Sequence, residues 1–192
     1  MGTNAKAAEF LRECMADALI QLIPQKEFSK ITVNEIAEAA GVNRSTWFRS
    51  FHTKGEALTY KLIQLWNRYA AAHSLAERQR FTLGNARDFF CFLYETQPLL
   101  KLLYSIQMQS AVYDAFYQVM MLHYHDGDSC GDAFEYYESR FYSYGLFGLL
   151  DEWVKRDFRE TPQEMVSLFG RIMRSPSSQI NAYLAGSKAN HI

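Results

Sequence analysis

Residues 32–58 read TVNEIAEAAGVNRSTWFRSFHTKGEAL, and this stretch decides the fold. It opens with a Thr-x-x-Glu capping box, in which a threonine hydroxyl and a glutamate carboxylate each accept a hydrogen bond from the other residue's backbone amide. Gly41 suits the left-handed conformation that ends a helix, and Asn43 suits the cap of the next one. Trp47 and Phe51 lie four residues apart and share one helix face, which we expect to be buried. Two short helices joined by a glycine-containing turn predict a helix-turn-helix.

The second of these helices lies in a segment without acidic residues. Residues 39–55 contain Arg44, Arg49 and Lys54 but no Asp or Glu, although the whole chain has a net charge of -1. A domain that binds nucleic acid carries a local basic surface. This segment is therefore the candidate DNA-binding surface, although a helix pair that packs without binding nucleic acid would also fit the pattern.

The remaining sequence has the periodicity of helices, because apolar residues recur at three and four positions with hardly any alternation of two. Further Thr-x-x-Glu boxes begin at Thr53 and Thr161, and Pro162 suits the first position of a helix. We predict an all-α protein. The predicted helices span about residues 4–23, 32–39, 43–50, 53–75, 82–97, 98–108, 110–124, 132–156 and 161–174.

The composition is that of a folded globular protein, with 48% apolar and 21% charged residues among 192. The longest apolar stretch, residues 144–150, is far shorter than the roughly 20 residues that cross a bilayer, and the N-terminus lacks the apolar core of a signal peptide. Three widely spaced cysteines suit reduced thiols, so we expect a cytoplasmic protein without membrane contact. No Ser/His/Asp, Cys/His or phosphate-loop pattern stands in a recognisable context, so neither an enzyme nor a cofactor is expected.

The stretch at 32–58 resembles the signature of the TetR family of bacterial transcription regulators in order and spacing, and the resemblance extends over about residues 8–60. Residues 141–168, FYSYGLFGLLDEWVKRDFRETPQEMVSL, are similar to the C-terminal domain of a TetR branch that includes regulators of dihydroxyacetone kinase genes. The resemblance implies an N-terminal three-helix helix-turn-helix domain, residues 1–52. It also implies a C-terminal helical domain for ligand binding and dimerisation, residues 53–192.

The resemblance further assigns DNA contacts to the first domain. It implies phosphate contacts for Thr32, Thr46 and Lys54, and base or phosphate contacts for Asn43, Arg44 and Ser45. We expect Arg44 to read guanine, because a guanidinium can bind O6 and N7 together. Phe48 stands where the family usually has a tyrosine. It can still contact a thymine methyl or a sugar, but it lacks the hydroxyl that would bind a phosphate.

Most of the tyrosines lie in the second part of the chain. An aromatic stripe can simply be core, but tyrosines also supply the apolar surface and the placed polar groups of a small-molecule site. The resemblance implies an effector in this part of the chain without identifying it. The candidate ligand-binding residues are Tyr69, Tyr104, Met108, Tyr113 and Tyr144.

The last two long helices carry apolar stripes. These stripes run over Phe134, Tyr137, Phe141, Gly145, Gly148, Leu149 and Trp153, and over Met165, Leu168, Phe169, Ile172 and Met173. Glycine lowers helix stability by about 1 kcal/mol relative to alanine, so Gly145 and Gly148 indicate a close helix approach. The resemblance implies that the two helices pair with their copies in a homodimer. Close packing within one subunit is the alternative.

The loop HYHDGDSCGD, residues 123–132, contains side chains that metals use as ligands. These are His123, His125, Asp126, Asp128 and Cys130. The loop fails as a calcium site, because the twelfth position counted from Asp126 is Tyr137, where a bidentate glutamate is needed. We therefore predict no metal site and interpret the loop as a solvated turn between helices. A transition-metal sensor is the alternative.

Taken as a whole, the sequence predicts a ligand-responsive repressor that binds a near-palindromic, double-stranded DNA operator as a homodimer. The alternative is a helical coactivator that binds a small molecule and acts through a protein partner without touching DNA. The absence of a hydroxyl on Phe48 would favour that alternative.

Overall fold

The structure is a computed structural model that describes residues 3–75, 83–124 and 133–174. All regular structure in these ranges is helical, which confirms the predicted all-α fold. Within the same ranges, no helix meets the length and hydropathy that a membrane span requires. The helices are α1 (Thr3–Leu22), α2 (Val33–Ala39), α3 (Arg44–Ser50), α4 (Lys54–Ala72), α5 (Leu83–Glu95), α6 (Gln97–Ser105), α7 (Gln109–Tyr124), α8 (Ala133–Lys155) and α9 (Pro162–Arg174), with 3-10 turns at Ile23–Gln25 and Phe28–Lys30.

Two of the predicted capping boxes are complete. At the start of α2, the Thr32 hydroxyl accepts from the Glu35 amide at 3.3 Å, and the Glu35 carboxylate accepts from the Thr32 amide at 2.8 Å. The Lys26 ammonium adds an ion pair to the same carboxylate at 2.7 Å. Thr161 and Glu164 repeat the box at the start of α9, with distances of 3.3 and 2.7 Å. These paired caps explain why both helix starts could be predicted from the sequence.

The caps of α3 and α4 differ from the prediction. The Thr53 hydroxyl accepts from the Glu56 amide at 3.1 Å, but the Glu56 carboxylate accepts from the His52 amide at 2.8 Å and not from Thr53. Asn43 occupies the cap position of α3 with extended backbone, yet its side chain makes no capping hydrogen bond. The first turn of α3 closes through the backbone instead, where the Thr46 amide donates to the Asn43 carbonyl at 2.8 Å.

The helix-turn-helix forms as predicted. Gly41 has a φ of +66°, the left-handed conformation that a β-carbon would strain, and the Val42 amide donates to the Ala37 carbonyl across the turn at 2.9 Å. Trp47 and Phe51 are each only 1% exposed, and their ring centroids lie 5.2 Å apart. Both rings belong to one buried cluster that includes apolar residues of α1 and α2.

Helix α4 packs against both parts of the molecule. On one side, the buried Lys61 ammonium lies 3.1 Å from Glu13 and 2.6 Å from Asp17, two carboxylates of α1. On another side, the buried Thr59 hydroxyl donates to the Ala111 carbonyl of α7 at 3.2 Å. The first half of α4 is therefore held by the helix-turn-helix through α1 and by the C-terminal helices through α7.

Helices α5, α8 and α9 bury an aromatic core. The Phe90 ring lies 5.9 Å from Trp153 and 6.2 Å from Phe169, and the Trp153 indole donates to the Glu160 carbonyl at 3.0 Å. Trp153, Phe169 and Met165 are all buried within the chain, with at most 7% of any of them exposed. These three residues therefore do not lie on a pairing face, which corrects their place in the predicted stripes. The physical reason is that a 3.6-residue period alone does not separate two adjacent apolar faces of one helix.

The cap at Glu35 predicts how stability depends on pH. Hydrogen bonds from Lys26 and Thr32 lower the pKa of Glu35 to about 2. Because the pKa is lower in the folded state, this contribution is complete above the unfolded value near 4.5 and is lost as the pH falls towards 2. The thermal midpoint of the wild type should therefore fall more steeply than that of Glu35→Gln between pH 5 and about 2.

Glu38→Gln, on the exposed side of the same helix, is the matched control. Parallel pH profiles for the wild type and Glu35→Gln would show that ionisation of Glu35 contributes nothing to folding stability.

Candidate DNA-binding surface and ligand cleft

The predicted DNA-contacting residues of α3 lie on the exposed side of that helix. Asn43, Arg44 and Ser45 are exposed, whereas Thr46 is half-buried and accepts a hydrogen bond from the Arg49 guanidinium at 3.3 Å. All of them belong to the first turn and its cap, which is the part of a recognition helix that meets base edges.

Phe48 and Arg44 form a pair on this surface. The Phe48 side chain is 51% exposed, and the Arg44 guanidinium lies over its ring at 5.1 Å from the centroid. In the described part of the chain, no carboxylate forms an ion pair with Arg44 or Arg49. The charges of both arginines are therefore available to an anionic partner such as a DNA backbone, and the phenyl ring limits the conformations of Arg44.

The other two predicted phosphate contacts are already engaged within the protein. The Thr32 hydroxyl belongs to the capping box of α2. The Lys54 ammonium donates to the carbonyls of Phe28, of Ile31 at 3.0 Å and of Ser29 at 3.5 Å. It also lies 4.5 Å from the centroid of the Phe28 ring, and burial lowers the pKa of this lysine.

Lys54 therefore joins the start of α4 to the 3-10 turn that precedes α2. The sequence shows a lysine at a helix start but gives no sign of these carbonyls, because they lie more than twenty residues away along the chain. A phosphate contact by Lys54 stays a prediction, and such a contact would compete with three internal hydrogen bonds.

The five predicted ligand-binding residues have four separate sets of neighbours. Tyr69 stacks between Trp66 and His73, with centroid distances of 6.2 and 4.0 Å. Tyr113 stacks on Tyr144 at 4.4 Å and accepts from the Arg140 guanidinium at 2.8 Å.

Tyr104 lies beside Asp151, and burial together with that carboxylate raises the pKa of its hydroxyl. Met108 contributes to a cleft of about 650 Å³ where α1, α4 and α7 meet, and the other four predicted residues do not line it. The sequence could show that these residues were aromatic or apolar, but it could not show that helix packing would separate them. The loop at 125–132, with its possible metal ligands, lies outside the described residues, and His123 is described only as part of the α7 backbone.

Apolar residues remain exposed on α8 and on α9, and together they are called the apolar surface of α8 and α9 below. Its residues are Tyr137, Phe141, Tyr144, Gly145 and Gly148 of α8, with Leu168, Ile172 and Met173 of α9. A β-carbon built on Gly145 or Gly148 would meet no atom within 4 Å in the described part of the chain. Close packing among the described residues of one subunit therefore does not account for either glycine.

The bonding of Lys54 predicts its contribution to stability. Lys54→Met keeps most of the aliphatic chain but leaves partly buried carbonyls without their donor, which should cost about 1–3 kcal/mol of unfolding free energy. Arg49→Met is the matched control, because among the described residues this exposed side chain donates only to Thr46, and its effect should be within about 0.5 kcal/mol. Urea unfolding of both variants gives the comparison. Equal stabilities would mean that the internal bonds of Lys54 are unimportant and would leave DNA as its main partner.

The chain is similar to known proteins in both of its parts. A family model described as bacterial regulatory proteins of the tetR family matches residues 16–58, and a TetR model described as a transcriptional regulator C-terminal region matches residues 84–175. The crystal structure of a TetR transcriptional regulator from Rhodococcus sp. RHA1 is similar in fold, with a TM-score of 0.52 and 20% identity over 91% of this chain and 100% of that one. No curated protein sequence matches the chain.

The two family matches are consecutive and together span more than half of the chain. They coincide with the helix-turn-helix and with the helices that follow α4. The chain therefore belongs to the TetR family of transcriptional regulators.

Proposed function

We propose that this protein is a ligand-responsive repressor that binds a near-palindromic DNA operator as a homodimer. The observation that carries the proposal is the exposed first turn of α3, where Arg44 has no internal carboxylate partner in the described chain. Residues 1–52 form the DNA-binding domain in this proposal, and residues 53–192 bind the effector and the second subunit. The likeness of residues 141–168 to regulators of dihydroxyacetone kinase genes stays a prediction.

The apolar surface of α8 and α9 supports the homodimer. Phe141 and Tyr137 are 72% and 78% exposed, which is costly for large aromatic side chains in a folded monomer. They share their face of α8 with Gly145 and Gly148, where a second helix could approach closely without meeting a side chain. A two-fold pairing of α8 and α9 would cover both the rings and the glycines.

The contacts of α4 support the response to a ligand. Two recognition helices must be about 34 Å apart, or near a multiple of that distance, to enter successive major grooves. A displacement of α7 would reach α4 through the Thr59 to Ala111 hydrogen bond, and α4 would move α1 through the ion pairs of Lys61. An effector that favours one α7 position would thus change the separation of the recognition helices and the affinity for the operator.

Replacement of Arg44 tests the DNA-binding assignment. Arg44→Ala should lose discrimination at one G·C pair of the operator by about 1–3 kcal/mol, which is roughly 5- to 150-fold, because the bidentate contact to guanine disappears. Gel shifts with DNA from upstream of the protein's own gene, and with a series of single base-pair replacements, provide the measurement. Lys101→Ala, in the C-terminal helices, is the control and should leave the whole series unchanged.

Unaltered discrimination by Arg44→Ala would contradict base reading by this residue. A wild-type dimer that binds none of this DNA would favour the coactivator that acts through a protein partner.

Replacement of Gly148 tests the homodimer. Gly148→Leu should be a monomer at micromolar concentration, because the added side chain prevents the helices from approaching, while its β-carbon meets no described atom of its own subunit within 4 Å. Gly148→Ala adds a single methyl and should remain largely dimeric. Light scattering gives the mass, and circular dichroism checks that both variants keep their helix content. A Gly148→Leu protein with dimeric mass would place this part of α8 outside the interface.

A further inference from the structure

The cleft of about 650 Å³ lies at the junction of the two parts of the molecule. Its walls come from α1, from the first half of α4, from the start of α7 and from the 3-10 turn at Phe28–Lys30. The volume falls within the range of roughly 300–1,000 Å³ that is typical of small-molecule sites. Of the residues predicted from the sequence to bind an effector, only Met108 lines this cleft, so the cleft is distinct from the remaining four positions.

One wall of the cleft carries the Arg12 guanidinium, which forms no ion pair with a carboxylate in the described part of the chain. The Arg12 guanidinium lies 4.3 Å from the centroid of the Tyr60 ring and 5.1 Å from that of Phe51. Its Nε atom is buried and has no hydrogen-bond acceptor among the described residues. Lys61 and Arg68, which also join α1 to α4, each form an ion pair with a carboxylate of α1.

Arg12 is therefore held in place by aromatic rings, and its charge is left for a molecule from outside the chain. A carboxylate is the group that matches the fork of a guanidinium, because its two oxygens can accept two parallel hydrogen bonds.

The rest of the cleft limits what else the molecule can carry. Phe28, Ile63 and Met108 provide apolar surface for a hydrocarbon body. Asp114 of α7 and Glu56 of α4 also line the cleft, and their negative charges would repel a doubly charged phosphate more than a singly charged carboxylate. Lys54 also lines the cleft, but its ammonium already donates to backbone carbonyls. The cleft is thus suited to one negative charge at Arg12 and to an uncharged body with apolar surface.

We propose that this cleft binds a small amphipathic monocarboxylic acid, with its carboxylate on Arg12 and its apolar body between α4 and α7. This inference names a ligand class and a binding site for the proposed ligand response. Its meaning for regulation rests on that proposed function. Such a ligand contacts α1 and α7 at once. It therefore links the DNA-binding domain directly to the C-terminal helices and reinforces the connection that α4 provides.

The test uses the full-length protein and two probes that differ only in their head group, 1-naphthylacetate and its uncharged amide, 1-naphthylacetamide. Isothermal titration should show binding of the acid at a single site per chain and binding of the amide at least about tenfold weaker, because the charge-assisted hydrogen bonds are missing. Octanoate is included as an acid with a different body, and inorganic phosphate as an anion without one.

Two variants locate the site. Arg12→Gln removes the charge and should weaken the acid by about tenfold or more, with little effect on the amide. Ser110→Trp fills the cleft from an exposed position at the start of α7 and should abolish binding of the acid while leaving Arg12 in place. Asp114→Asn is the matched control on α7 and should bind the acid as tightly as the wild type or more tightly. Circular dichroism establishes that each variant is folded. If Arg12→Gln unfolds, Ser110→Trp still tests whether the acid binds in the cleft.

Binding of the acids that depends on both Arg12 and an open cleft supports the proposal. Any of four results overturns it. These are equal affinity for acid and amide, binding of the acid that survives Ser110→Trp, binding of phosphate alone, and no binding of either acid at millimolar concentration. A gel shift on the same samples separates this outcome from the proposed function. If the cleft does not bind the acids, the protein should still bind the operator. If the protein binds the acid but no DNA, the repressor proposal is wrong and the cleft proposal stands.

Discussion

The position of the helix-turn-helix depends on two ion pairs that the buried Lys61 side chain of α4 forms with carboxylates of α1. An ammonium transferred from water into a protein interior costs several kcal/mol unless opposite charges accompany it, and Glu13 and Asp17 supply two. Separation of α1 from α4 would break both ion pairs and would expose the apolar residues that pack between the two helices, so we expect the helices to move together. The same half of α4 is bonded to α7 through Thr59. The candidate DNA-binding surface is consequently connected to the C-terminal helices through α4.

Features that depend on neighbours in the sequence could be predicted well. Thr32 and Glu35 lie three residues apart, and so do Thr161 and Glu164, so the spacing of the residues alone indicates both capping boxes. Gly41 and the buried pair of Trp47 and Phe51 belong to the same class, because one turn of helix sets their relation. These local rules, together with the absence of strand periodicity, were enough for the fold class and for helix boundaries within three residues.

Features that depend on contacts between distant segments were predicted poorly. The carbonyls that bind Lys54 and the aromatic rings beneath Arg12 are brought together by tertiary packing, so neither partner could be inferred from spacing along the chain. The same limit applies to the relative placement of the candidate ligand-binding residues, whose role stays a prediction. Tyr69 and Tyr113 lie on different helices, and their separate surroundings follow from how α4 and α7 pack. Trp153 is another example. The helical period identifies it as an apolar residue of one face but does not identify the neighbours that bury it.

The exposed rings of α8 imply that the stability of the protein depends on its concentration in the cell. If pairing covers Phe141 and Tyr137, mass action makes the stability of the fold depend on protein concentration, since only the paired state buries these rings. At low abundance the chain would be present largely as separate subunits, each able to reach a single half-site. Under the proposed function, occupancy of a two-half-site operator would then rise more steeply than the amount of protein, so a modest change in expression would produce a sharp change in repression.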